Sequence, residues 1–145
     1  MTGMMVSTKG RYALRIMIDL AKQEEEGNVP LSEIARRQEI SVKYLEAVMA
    51  ILNRAGLVVS RMGKNGGYRL AKPPAQYRVG EILRLTEGRL APVHCLEDGE
   101  VNCSRSEGCV TLPMWKELDR LISEYLDHLT LEDLIQGNVK WNPEK

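Results

Sequence analysis

The chain is short of several things. It has no run of about 18 apolar residues, the minimum for a membrane-spanning helix, so no span is expected. Residues 1–9 lack the apolar core of a secretory signal, which leads to an expectation of a cytoplasmic protein. Histidine is scarce: His94 and His128 are the only two, and neither belongs to a recognisable Ser-His-Asp set. There is no glycine loop of the kind that cradles phosphate, and the cysteines have no matched base, so an enzyme is not expected. Cysteine is limited to Cys95, Cys103 and Cys109, an odd number that argues against a disulfide framework. Internal repeats and low-complexity stretches are absent, and there is no net charge.

That zero conceals an asymmetry. Up to Pro74 there are 12 Lys and Arg against 7 Asp and Glu, a surplus of +5; from Ala75 onward the balance is 8 against 13, or −5. A basic first half suits a polyanionic partner, which an acidic second half would not contact.

Apolar spacing predicts helices over 11–22 (Leu14, Met17, Ile18, Ala21) and 31–38 (Ile34, Ala35). A third runs over 42–55 (Leu45, Val48, Met49, Leu52), with Ser41 as its N-cap and Gly56 as its stop. Residues 57–60 and 68–70 read as two strands joined by a glycine-bearing tip, Arg61 to Gly67. A fourth helix spans 79–87, with Ile82, Leu83 and Leu85 as its apolar side. Residues 90–109 carry neither period and read as a long loop. Trp115, Leu118, Ile122, Tyr125 and Leu129 then step by three and four, a heptad seam on a helix over 111–129. Thr130 and Asp133 form a near capping box for a short last helix that Gly137 ends.

Helix, helix, tight turn, helix, hairpin is the order of a winged helix-turn-helix. The expected fold is therefore mainly α with a small β-hairpin wing, formally α+β. The major groove of B-DNA admits one helix, and the preceding helix braces it. The helix over 42–55 is the recognition candidate, exposing Ser41, Lys43, Tyr44 and Glu46 at its start. Lys43 suits a phosphate or a guanine edge, Tyr44 a phosphate, and Glu46 a cytosine amino group. At the hairpin tip Arg61 and Lys64 bring charge to a narrow minor groove, and Asn65 and Gly66 belong to the same turn. Lys9, Arg11, Arg36 and Arg37 add candidate phosphate contacts. Two duller readings compete: a protein-interaction domain of the same layout, or a merely solvated basic face.

Four segments carry a family likeness: Ser7-Thr8-Lys9-Gly10-Arg11-Tyr12, Ser41-x-x-Tyr44-Leu45-Glu46, Gly56-Leu57-Val58 and Gly66-Gly67-Tyr68. With the late Thr130-Leu131-Glu132-Asp133-Leu134 element, they make the chain resemble the IscR/CymR class of bacterial winged-helix repressors, the Rrf2 family, from about residue 6 to 137. The resemblance implies a homodimer on an imperfect palindrome of double-stranded DNA, paired through Trp115, Leu118, Ile122, Tyr125 and Leu129. A seam buried within one subunit is the competing reading. The implied division is a DNA-binding domain over 6–88, a cysteine-bearing sensor loop over 89–110, a dimerisation helix and short C-terminal helix over 111–137, and a tail over 138–145.

On spacing alone the three cysteines divide among an Fe–S cluster, zinc and free thiols, because the gaps are wider than a zinc-ribbon knuckle. The resemblance to cluster-sensing members makes Cys95, Cys103 and Cys109 the ligand candidates for a 2Fe–2S or 4Fe–4S cluster. Members of the class that place a histidine three residues past the last cysteine are not matched, since Leu112 stands there. Members that use an acidic residue near the start of the first helix are not matched either, since Arg11 stands there. His94, Asp98 and Glu107 are the nearby alternatives. Relatives without the cysteines respond to a partner enzyme of sulfur metabolism, and a metal-binding interaction protein is a further alternative.

Overall fold

The computed structural model describes residues 6–88 and 110–141. Its order is α1 (Thr8–Lys22), α2 (Leu31–Gln38), α3 (Val42–Arg54), β1 (Val58–Arg61), β2 (Gly67–Leu70), α4 (Val79–Glu87), α5 (Leu112–His128) and α6 (Leu131–Gln136). Short 3-10 turns at Glu24–Glu26 and Pro74–Gln76 join α1 to α2 and β2 to α4.

Local chemistry fixes most of the boundaries. Ser41 caps α3 with its Oγ, which accepts from the Tyr44 amide at 3.2 Å. Gly56, at φ +79°, ends α3 in a Schellman turn: Leu57 N donates to Leu52 O at 3.0 Å and Gly56 N to Asn53 O at 3.0 Å. Thr130 and Asp133 form a complete capping box at α6. The turn between α2 and α3 is less expected, because Glu39 holds the left-handed region at φ 55° without being glycine or asparagine. Ile40 follows it, donates its amide to Ala35 O at 3.1 Å and buries its side chain, which holds the backbone in that conformation.

One core unites the N-terminal elements. Ile16, Met17 and Leu20 of α1 meet Ile34 of α2, Leu45, Met49 and Leu52 of α3, Val58 and Leu70 of the hairpin, and Ile82 of α4. Leu131 of α6 is fully buried in the same cluster, so the chain returns to this core after α5. Backbone bonds fix that return: Val79 N donates to Leu129 O at 2.9 Å, and Leu131 N to Tyr77 O at 3.1 Å.

Three expectations need correction. The first helix starts at Thr8 rather than Arg11, because Ser7 caps it and the Glu87 carboxylate of α4 accepts from the Ser7 and Gly10 amides at 3.0 and 3.1 Å. Gly10 looks like a poor helix residue, yet a Cβ there would stand 2.3 Å from Glu87 Oε1. Leu85 is exposed rather than on the buried side of α4. Leu129 is buried with Val79 and Leu83 rather than lying on an open seam, because the chain leaves the helix there with extended ψ.

Among the described residues no helix is long and apolar enough to cross a membrane.

Candidate nucleic-acid interface

The two faces of α3 separate cleanly. Leu45, Val48, Met49 and Leu52 are buried, while Val42, Lys43, Glu46, Ala47 and Ala50 are exposed. The exposed residues recur at three- and four-residue gaps and so form one stripe along the helix. The predicted Lys43 and Glu46 lie on it, and Ser41 stands exposed at its start, its hydroxyl hydrogen remaining to donate. Tyr44 is half-buried: its ring meets Tyr12 of α1 edge-on, with centroids 5.5 Å apart. The Arg15 guanidinium sits 5.0 Å from the Tyr12 ring and donates to Gln38 O at 2.6 Å. Tyr44 therefore braces α3 against α1 as well as lining its N-terminal end.

Ala47 and Ala50 were not singled out from sequence. Their signal was there, since they fall out of phase with the buried stripe. Small residues at these positions let the helix approach a groove floor, where an alanine methyl can contact a thymine methyl.

The hairpin pairs Val58 with Leu70 through to Arg61 with Gly67. Its tip is tied by Gly66 N donating to Gly63 O at 3.0 Å, with Asn65 left-handed at φ 63°. Gly66 is required by space, since a Cβ would lie 2.4 Å from Arg61 O. Arg61, Lys64 and Asn65 project, exposed, from this tip, as does Met62, which is 90% exposed.

Two attachments hold the wing to the body. Val29, just before α2, exchanges both backbone bonds with Tyr68, at 2.8 and 2.9 Å. Tyr77, fully buried, donates its hydroxyl to Leu57 O at 2.5 Å and accepts from Ala71 N and Lys72 N at 2.9 and 3.2 Å. Burial pushes the Tyr77 hydroxyl above its ordinary pKa. Sequence spacing pointed to neither attachment.

The basic residues fall into two groups. Lys9 and Arg11 at the start of α1, Lys43 on α3, and Arg61 and Lys64 on the wing are exposed and have no carboxylate partner among the described residues. Arg37 is different. It donates to Asp19 of α1 from Nε at 3.1 Å and Nη2 at 2.8 Å, and Gln38 Nε2 adds a third bond to the same carboxylate at 2.8 Å. The Asp19 hydrogen bond raises the Arg37 pKa above its already high value, and the pair locks α2 to α1, so Arg37 is not an unpaired cation like the others. Arg36 beside it is exposed.

On α5 only Leu112 is buried. Trp115, Leu118, Ile122 and Tyr125 are half-buried, and Met114 and Leu121 are exposed. Arg120 pairs with Glu117 and Glu124, and the Arg120 hydrogen bond draws the Glu117 carboxyl below its ordinary value. Beyond α6 the chain folds back: Tyr125 Oη donates to Val139 O at 2.8 Å, and the Trp141 ring lies 6.2 Å from Tyr125 and 6.0 Å from His128.

Cys95, Cys103 and Cys109 lie outside the described residues, as do His94, Asp98 and Glu107. Among the described residues no group of three or more His, Cys, Asp or Glu is arranged to hold a metal.

The chain compares closely with known regulators. The model of the Rrf2 family, described as iron-dependent transcriptional regulators, matches residues 6–137. The chain is 38% identical over 135 residues to the HTH-type transcriptional regulator IscR of Aliivibrio salmonicida, covering 93% of this chain and 79% of that protein. Its fold matches CymR (YrzC), the global cysteine regulator of B. subtilis, with a TM-score of 0.78, 39% identity, and coverage of 90% of this chain and 95% of that one. It also matches T. potens IscR with a TM-score of 0.75, 39% identity, and coverage of 94% and 89% respectively.

Proposed function

This chain belongs to the Rrf2 family of transcriptional regulators, and from that premise we propose that it is a homodimeric repressor that reads an imperfectly palindromic operator with α3 and the wing. The observation that carries this is the pairing of an exposed α3 stripe with projecting cations that no described carboxylate neutralises.

Lys43 and Glu46 carry base reading, with Lys43 donating to a guanine edge and Glu46 accepting from a cytosine amino group. Ser41, Lys9 and Arg11 hold phosphates, which set register without carrying sequence information. Arg61, Lys64, Asn65 and Gly66 bring the hairpin tip to the adjacent minor groove, where Gly66 permits close backbone approach. The half-buried Trp115, Leu118, Ile122 and Tyr125 stripe gives a self-complementary surface for a two-fold axis, and the operator's symmetry then mirrors the dimer's.

The regulatory part rests on donor chemistry. Cys95, Cys103 and Cys109 supply three soft thiolates, which suit an Fe–S cluster of either the 2Fe–2S or 4Fe–4S type. When bound, such a cluster supplies a centre sensitive to oxygen, nitric oxide and iron supply. Cys109 lies three residues before Leu112, the buried first residue of α5, so a change in the cysteines' arrangement acts on the dimer helix and through it on half-site spacing. A coupling of ~1–3 kcal/mol corresponds to about a 5- to 150-fold change in operator affinity.

The likeness to CymR supports a second reading, in which the same DNA-binding dimer carries no cluster and answers to a sulfur-metabolism enzyme or to thiol oxidation.

The test has two arms. Selection from random duplexes followed by anisotropy titration is expected to give a preferred sequence. Its affinity falls roughly a thousandfold or more between about 50 and 200 mM salt if about six phosphates are contacted. The absence of any preferred sequence overturns the reading. Anaerobic purification with absorption spectroscopy and iron and sulfide analysis separates the two regulatory schemes. Visible absorption that is lost when all three cysteines become alanine supports the cluster, and colourless protein at full occupancy of the dimer supports the second scheme.

A further inference from the structure

We propose that Met62 is an apolar wedge: in the operator complex its side chain enters the minor groove between Arg61 and Lys64 and unstacks one base step per half-site. The inference rests on the DNA-binding reading above and extends it to a residue that reading leaves without a task.

Met62 is 90% exposed, far more than Val59 at 36%, the other exposed large apolar side chain of the hairpin. It directly follows the last hairpin pair, Arg61 with Gly67. The turn beyond it is closed by the Gly66 to Gly63 backbone bond, and the hairpin is held to the body through Val29 and Tyr68. Met62 is thus presented on a fixed support. Met62 forms part of the rim of a shallow groove that Pro30, Leu31 and Tyr68 also line, and it keeps 90% of its surface in solvent.

Its neighbours say what kind of surface it meets. Arg61 and Lys64 flank it in sequence, both exposed and both suited to phosphates on the walls of a groove. A thioether cannot hydrogen-bond usefully to phosphate, so its affinity for a duplex must come from apolar contact, either with sugar edges or with the faces of separated bases. An unbranched side chain between two cations on a narrow tip matches the apolar residues that minor-groove proteins insert between base steps, kinking the duplex toward the major groove. Flexible pyrimidine–purine steps resist this least, so the wedge gives sequence preference at a position with no base-edge hydrogen bond.

The test uses the full-length protein and the selected operator, with 2-aminopurine placed at successive positions under the wing and a dye pair on the duplex ends. Wild-type protein is expected to raise 2-aminopurine fluorescence at one step per half-site and to shorten the end-to-end distance. Met62→Ala is expected to remove both signals and weaken binding by about tenfold, as loss of one buried apolar side chain does. Its salt dependence stays unchanged, whereas Arg61→Ala reduces the salt slope by about one. Met62→Gln, similar in length but polar, is expected to behave like Met62→Ala. If Met62→Ala keeps the fluorescence rise, the bend and the affinity within about twofold, the wedge is overturned while the DNA-binding reading stands. If wild-type protein binds no selected duplex, the underlying reading falls and the wedge with it.

Discussion

Replacing Gly67 by alanine tests how firmly the wing is set on the body. Gly67 has φ +144°, and a Cβ there would lie 2.3 Å from Val29 O, 2.4 Å from Val29 C and 2.7 Å from Pro30 N. These are backbone atoms, so no rotamer change relieves the clash. Val29 must retreat by about 1 Å to reach ordinary contact. That movement breaks the two bonds between Val29 and Tyr68, each worth about 0.5–1.5 kcal/mol net. A side chain in this backbone region adds strain of about 1–3 kcal/mol. Together the expected loss is about 2–6 kcal/mol, a large fraction of the roughly 5–15 kcal/mol that holds such a domain folded. Thermal unfolding followed by circular dichroism is expected to show a Tm lower by roughly 10 °C. Gly63→Ala is the control: φ is +88° but nothing lies within 4 Å, so only strain is expected and the drop is smaller. A Gly67→Ala protein with unchanged Tm, or one no less stable than Gly63→Ala, would refute the reasoning.

Three further outcomes are expected. Tyr77→Phe removes a buried hydroxyl, leaves Leu57 O with the 3.3 Å bond from Ala71 N alone and takes the acceptor from the Lys72 amide, at a cost of about 1–3 kcal/mol in denaturant unfolding. Because the folded Tyr77 pKa lies above its unfolded value near 10, the folded state keeps a proton the unfolded state sheds; stability is full below about pH 10 and declines above it, and Tyr77→Phe removes that part of the decline. Asp19→Ala leaves Arg37 without its main partner and is expected to cost about 2–4 kcal/mol, while Arg36→Ala, on the exposed neighbour, leaves Tm unchanged. Leu118→Asp places a carboxylate on the half-buried α5 stripe and is expected to give monomers by light scattering, with the far-ultraviolet spectrum of each subunit retained.

Locally encoded features were legible in the chain. Ser41, Gly56, Thr130 with Asp133, and the α3 periodicity each act within a few residues, and α3 and α6 stand where spacing placed them. The exposed residues of α3 followed from the same period. The rest depends on partners far apart in sequence. Glu87 reaches the start of α1, Asp19 holds Arg37, and Tyr77 supports the base of the wing, and no spacing rule joins such pairs. Arg37 read as a free cation because its carboxylate lies 18 positions away. Leu129 read as a seam residue because heptad counting assumes that the helix continues, whereas the chain turns there to meet Val79. Glu39 carries no compositional sign of its left-handed turn; burial of Ile40 imposes it.

The central claim is that α3 occupies the wide groove with the wing in the narrow one beside it. Guanine-methylation interference combined with hydroxyl-radical footprinting on the selected operator tests this most directly, because N7 methylation blocks major-groove contact alone. The account predicts two interference patches centred one helical turn of about 10 base pairs, or a multiple of it, apart, each flanked by minor-groove protection that Arg61→Ala weakens. Protection without N7 interference, unaffected by Lys43→Ala, would contradict it.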